Sequence, residues 1–241
     1  MRPTNYIGKH AYRGNVASNY ESERVIEAIW EQEQQFVGNW IRTVPKGSSI
    51  LDVPAGTGRF IELFLEQQLH IYAVDISEDM LAEVRRKYPN DTENLNIRRG
   101  DAEQLSFEDN TMDYVVSWRF FHLIPLSVVR IVLGELKRVC RGTIIVQVFA
   151  VESSTRRVTW VSKLKSSVRP WWRRINPGSH TVPTTPWSHI QSFTHNEGDL
   201  LTAIKEAGLT IEKIETLETH GDSATKVFFL KSPAASWSMP A

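Results

Sequence analysis

The run Ile50-Leu51-Asp52-Val53-Pro54-Ala55-Gly56-Thr57-Gly58-Arg59-Phe60 restricts this chain to few folds. Ile50, Leu51 and Val53 make a short apolar strand of the kind buried in a central sheet. Gly56 and Gly58 let the backbone turn sharply and bring a ligand against the main chain. Phe60, Ile61, Leu63, Phe64 and Leu65 then suit a helix laid back on that sheet. Two further acids repeat the layout: Asp75 closes the run Ile71-Tyr72-Ala73-Val74, and Asp101 follows Leu95-Asn96-Ile97 and Gly100. Acids at successive strand ends line the carboxyl edge of a parallel sheet, where α/β folds hold nucleosides.

The ligand class follows from what the turn lacks. A carboxylate at Asp75 can accept two ribose hydroxyl protons, and one at Asp101 can accept from an exocyclic adenine amine. A nicotinamide or flavin dinucleotide needs a third glycine three residues after the second, where this chain has Ile61. No Gly-Lys-Ser/Thr follows the turn, so a phosphate-binding P-loop is excluded. Asp52 at the end of the first strand would repel a pyrophosphate and suits a cation. A positively charged nucleoside fits, and S-adenosylmethionine is one.

Four segments in order carry a family likeness: Leu51 to Phe60, Ala73 to Leu81, Gly100 to Leu105 and Met112 to Leu123. They resemble the motifs of class I S-adenosylmethionine-dependent methyltransferases, most of all the small-molecule branch that includes the ubiquinone and menaquinone methylases. The likeness covers Tyr20 to Gly142, with a weaker echo from Phe193 to Leu230. Pro54 stands where the family usually has its first glycine, and the D-x-P-x-G-T-G form resembles a variant of the motif.

The resemblance implies an α/β, Rossmann-like sheet of order 3-2-1-4-5-7-6. Its seventh strand is antiparallel, helices cover both faces, and a lid is inserted after strand 5. It also implies roles. Asp52, Ala55, Gly56, Thr57 and Gly58 surround the methionine portion of S-adenosylmethionine, and Asp75 takes the ribose. Ile76 and Met80 flank the adenine, and Asp101 and Ala102 meet its edge and face. A carbonyl of Ser117 or Trp118 takes the ammonium. Tyr20 and Arg24, one turn apart on the first helix, cap the cofactor or reach its carboxylate. His122, at the mouth of the pocket, is the candidate base because an imidazole titrates near neutral pH. Arg119 is a candidate contact for an anionic acceptor.

Periodicity supplies the rest of the layout. Apolar residues from Val25 to Ile41 recur at helical spacing, and Pro45 and Gly47 end that helix. Strands are expected at 49–54, 70–75, 95–99, 112–118 and 143–149, with helices at 58–68, 77–88 and 126–139 between them. A helix at 197–207 and strands at 210–217 and 226–230 complete the set. Ser77 is the expected N-cap of the third helix, with Glu78 and Asp79 in its first turn. The 241 residues read as one domain. Its parts are a lead-in and helix (1–47), a cofactor core (48–150), an insertion (151–192), a closing helix and strand pair (193–231) and a tail (232–241).

The formal net charge of zero hides an asymmetry. No acid occurs between Glu152 and Glu197, and that window holds Arg156, Arg157, Lys163, Lys165, Arg169, Arg173 and Arg174. It also holds Trp160, Trp171, Trp172 and Trp187, four of the chain's eight tryptophans. Cations interleaved with aromatics suit an aromatic or anionic small molecule, so Trp171, Trp172, Arg173 and Arg174 are expected acceptor contacts. The same composition suits RNA or a membrane surface through 156–174. DNA is not an expected partner. His180, His189 and His195 are irregularly spaced with no neighbouring acids, so no metal site is expected. One cysteine, Cys140, excludes an intrachain disulfide, and no apolar run reaches membrane-spanning length. With no apolar h-region near the amino terminus, a cytoplasmic location is expected.

Without an N-P-P-Y motif or a cysteine pair, methylation of planar amines or of ring carbon through an adduct is disfavoured. The expected activity is therefore methyl transfer to a hydroxyl or amine of a small molecule: a metabolite, natural product or glycolipid. Two alternatives stay open: an RNA methyltransferase using the basic insertion, and a non-catalytic cofactor-binding scaffold.

Overall fold

The computed structural model describes residues 28–89, 93–151, 193–220 and 222–232. In chain order the elements are α1 (Ala28–Ile41), β1 (Ser49–Asp52), α2 (Ile61–Glu66), β2 (His70–Asp75), α3 (Glu78–Lys87) and β3 (Leu95–Arg99). There follow β4 (Met112–Ser117), a single 3-10 turn (Phe121–Leu123), α4 (Leu126–Val139) and β5 (Cys140–Val151). The two-residue β6 (His195–Asn196), α5 (Glu197–Glu206), β7 (Thr210–His220) and β8 (Ser223–Lys231) close the series.

The sheet order is β3-β2-β1-β4-β5-β8-β7. Strands β3 to β5 run parallel, whereas β8 is antiparallel to both β5 and β7. Setting the short β6 aside, this is the expected 3-2-1-4-5-7-6 arrangement. Two apolar clusters cover the two faces. One packs Val128, Val132, Leu133 and Leu136 of α4 and Leu200 and Ile204 of α5 on Leu51, Val115 and Val146. The other packs Val37 and Ile41 of α1, Ile61 and Phe64 of α2 and Val84 of α3 on Ile50, Val116 and Ile145. Alternation along each strand therefore feeds both layers, which is why the central strands read as continuous apolar runs.

Local signals explain the boundaries. Ser77 caps α3 as expected, its hydroxyl accepting from Met80 N at 3.4 Å, and Asn196 caps α5 by accepting from Gly198 N at 2.9 Å. Helix α2 is shorter than expected, beginning at Ile61, because the turn runs on through Gly58 at φ +79°. β5 is longer than expected. Met112↔Cys140 extends its start along β4, and Ala150↔Ala224 and Val151↔Ser223 carry its end along the antiparallel β8. At Gly142 a Cβ would lie 2.1 Å from the Asp113 carbonyl oxygen, so β4 and β5 approach closely only because that residue has no side chain.

Strand β6 was not among the expected elements. Ala150 pairs with His195 and Val151 with Asn196, in parallel. The same segment is tied to the 3-10 turn: Phe193 N donates to the His122 carbonyl at 2.6 Å, and His195 Nε2 bonds the Phe121 carbonyl at 2.8 Å. Since a carbonyl only accepts, His195 carries its proton on Nε2. Among the described residues no helix is long and apolar enough to cross a membrane.

Candidate functional site

The carboxyl ends of β1 to β4 converge on a solvent-open cleft of about 250 Å³. Val53, Pro54, Asp75, Ile76, Gly100, Asp101, Ala102 and Phe120 line it. Asp75, Ile76, Asp101 and Ala102, expected from sequence to share one pocket, thus do so. Val53, Pro54, Gly100 and Phe120 were not singled out. Phe120 in particular lay in a recognised segment but carries no polar group to mark it.

Asp75 organises the loop. Its Oδ2 accepts from Gly56 N at 2.9 Å and its Oδ1 from Ser77 N at 2.8 Å. One carboxylate therefore joins the β1–α2 turn to the start of α3, and each oxygen keeps a lone pair. The turn is set further by Ala55 N donating to the Val74 carbonyl at 2.8 Å and Gly58 N to the Ala55 carbonyl at 2.9 Å. A side chain at Gly58 would meet Ile61 Cδ1 at 2.8 Å and Val84 Cγ2 at 3.1 Å, on a φ of +79°. Asp101 accepts from Glu103 N at 3.0 Å, which folds the β3 exit into a tight turn and presents Ala102 to the cleft. Ala55 and Thr57 are buried, and the Thr57 carbonyl accepts from Lys87 Nζ at 2.8 Å.

Asp52 is 2 % exposed at the end of β1. Burial, with the Asp75 carboxyl nearby, pushes it from its ordinary 3.8 up to about 8. Burial raises Asp75 as well, against the pull of the N–H groups of Ser77, Gly56 and Ile76. Folding therefore tightens the hold of Asp52 on its proton. The resulting stabilisation is complete below pH 3.8 and drains away as pH rises to about 8. This one group contributes a slope of at most ~1.4 kcal/mol per pH unit. Thermal melts of the ligand-free protein across that window should slope less in Asp52→Asn than in the unsubstituted chain. Parallel slopes would remove the assignment.

Other expected residues are placed differently. Met80, expected beside the adenine, is 3 % exposed in the core and does not line the cleft. The Trp118 indole packs on Phe60 and Phe36, with centroids 5.6 and 6.0 Å apart. Ser117 is fully buried. His122 sits on the 3-10 turn, outside the cleft lining, with its ring edge-on to Phe149 at 4.8 Å. Tyr20, Arg24, Trp171, Trp172, Arg173 and Arg174 lie outside the described residues.

Arg119 is held by a buried acid. Its guanidinium, expected to meet an anionic acceptor, donates from Nε to Glu33 at 2.9 Å and is only 8 % exposed. Arg59 Nη1 reaches the same carboxylate at 2.6 Å, and Glu33 is wholly buried. Arg59 also lies 3.5 Å over the Trp30 ring and donates to the Trp30 carbonyl at 2.6 Å. The cause lies in α1. Glu33 falls on its apolar stripe with Trp30 and Val37, so folding carries a carboxylate inward and two cations must follow it. An acid on an apolar stripe was the signal that sequence reading passed over. The cluster ties α1 to the glycine turn through Arg59 and to the β4 exit through Arg119. Among the described residues no group of three His, Cys, Asp or Glu side chains is placed to hold a metal.

A parallel sheet with an antiparallel closing hairpin, helices on both faces and acids at successive strand ends defines the class I methyltransferase fold. Solved structures agree. The magnesium protoporphyrin IX methyltransferase of Synechocystis PCC 6803 with bound S-adenosylhomocysteine matches at a TM-score of 0.62 and 16% identity, over 94% of this chain and 98% of that one. Residues 50–142 match a family described as a methyltransferase domain. That matched segment lies within the fold it shares with class I S-adenosylmethionine-dependent methyltransferases. Among curated relatives, a phosphatidylethanolamine N-methyltransferase of Cereibacter sphaeroides is 33% identical over 102 residues, 40% of this chain and 47% of that protein. A demethylmenaquinone methyltransferase of Listeria welshimeri is 37% identical over 76 residues, 30% of this chain and 32% of that protein. The chain thus spans less than half the length of either relative.

Proposed function

We propose that the protein is a methyltransferase that takes its methyl group from S-adenosylmethionine and passes it to a hydroxyl or amine of a small molecule. One observation carries the reading: a single cleft brings together Asp75, Asp101 and Ala102 beside a buried Asp52. Those groups fit the donor. Asp75 keeps acceptor capacity for two ribose hydroxyls, Asp101 and Ala102 offer an edge and a face for adenine, and Asp52 suits a cation. Bound there, S-adenosylmethionine supplies an electrophilic methyl on sulfur. The protein's own part is to align the acceptor and exclude water. Where the nucleophile carries a proton, His122 is the residue assigned to take it.

Calorimetry with S-adenosylhomocysteine and with oxidised nicotinamide adenine dinucleotide tests the reading. Binding of the first and not the second is expected, and the reverse would overturn it. Once turnover is in hand, His122→Ala should lower it about 100-fold, a typical loss for a general base, and leave cofactor affinity unchanged. Undiminished turnover would end that role. The match of the curated phosphatidylethanolamine and demethylmenaquinone enzymes to this chain supports a small-molecule acceptor.

A further inference from the structure

Among the described residues, three side chains on one sheet face hold buried polar atoms with no hydrogen-bond partner: Trp118 Nε1, Gln147 Nε2 and Thr225 Oγ1. Buried polar groups are nearly always satisfied, so three on one sheet face require a reason. Register puts them together. Ser117 pairs with Val146, so Trp118 and Gln147 come next on neighbouring strands. Gln147 pairs with Val227 and Phe149 with Thr225, placing these residues on the face that also carries Ile145 and Phe229.

The Gln147 amide has one possible orientation. Arg119 N donates to its Oε1 at 2.9 Å. A backbone N–H can only donate, so the oxygen must face it and the amide NH2 must point away. Arg119 adopts φ +50° and directly precedes Phe120, which lines the cleft. Gln147 therefore holds the residue before Phe120 with its oxygen and leaves both amide protons unused. Two of the three unpartnered groups, the amide nitrogen and the indole nitrogen, can only donate. Phe149, with His122 against it, adds an aromatic wall on the same side.

We propose that Gln147, Trp118 and Thr225 form the acceptor subsite. They select molecules that carry a hydrogen-bond-accepting oxygen, such as an aryl carbonyl, beside the group to be methylated. The inference rests on the methyltransferase reading and adds the substrate class to it. A site built to donate hydrogen bonds discriminates strongly against an analogue that lacks the accepting atom.

The test uses the full chain saturated with S-adenosylhomocysteine and titrated with 2-hydroxyacetophenone or 2-ethylphenol. The two probes differ in one carbonyl oxygen placed beside a phenol. The ketone should bind at least about tenfold more tightly, since only it can engage the buried donors. Gln147→Glu keeps an oxygen for Arg119 N–H but removes the amide donors. It should erase the preference while S-adenosylhomocysteine binds as before, which also shows that the variant is folded. Thr225→Val, close in shape, should weaken the preference without touching the Arg119 contact. Equal affinity for the two probes, binding of neither, or a preference intact in both variants would overturn the proposal. Failure of S-adenosylhomocysteine to bind the unsubstituted chain is seen before any probe is added. That outcome overturns the donor reading and this inference with it.

Discussion

Asp75→Ala is expected to reduce S-adenosylhomocysteine affinity at least 100-fold in calorimetry, the largest loss of any single change in the cleft. Two losses combine. The side chain faces the cleft, so the ribose loses its acceptor. Gly56 N and Ser77 N also lose the oxygens that hold the β1–α2 turn against α3. Each buried donor left bare costs about 1–3 kcal/mol, and a turn that is no longer preorganised adds to the cost of binding. Asp75→Asn separates the contributions. Its single carbonyl oxygen can keep one backbone donor, so an intermediate loss of about tenfold, near 1.4 kcal/mol, is expected. Either change also removes the neighbouring charge that helps hold the Asp52 carboxyl up, so the Asp52 titration should move down. Affinity equal to that of the unsubstituted chain would remove Asp75 from the ribose site.

Glu33→Gln should be the most damaging change to stability outside the apolar core. It leaves Arg59 and Arg119, 10 % and 8 % exposed, without the carboxylate they share. Removing one partner of a buried ion pair typically costs about 3–5 kcal/mol, because the remaining charge stays poorly solvated. For a chain of this length that lowers the melting temperature by roughly 10 °C. Arg85→Ala is the control. Arg85 and Glu78 are 45 % and 55 % exposed, and such surface pairs contribute about 0–1 kcal/mol. Comparable melting temperatures for Glu33→Gln and Arg85→Ala would show that the cluster is not a structural anchor.

The contrast between these two sites shows what the amino-acid order made legible. The acids at and beside the cleft could be read because each terminates an apolar run at a spacing set by the βαβ unit. Asp52, Asp75 and Asp101 are local signals that need no knowledge of distant partners. The Glu33 cluster draws on α1, the glycine turn and the β4 exit, three segments far apart in the chain, and only folding shows that they meet. The ion pair of Arg119 was illegible for the same reason, since its position beside the expected pocket gave no hint that α1 delivers a carboxylate to it. Gln147 was invisible because a glutamine in a strand carries no motif. Its meaning comes from one hydrogen bond to a backbone N–H and from what that bond leaves over. The edge strands were legible as strands, but β6 was not, because two residues are too few for any periodicity.

The side-by-side seating of Ala150 on His195 and Val151 on Asn196 means that the chain leaves the sheet after β5 and re-enters it at almost the same place. A loop whose two feet are clamped together can change length cheaply, since doubling it costs only about 0.6 kcal/mol in closure entropy. The length of chain between these two points can therefore change while β5 and β6 keep their register.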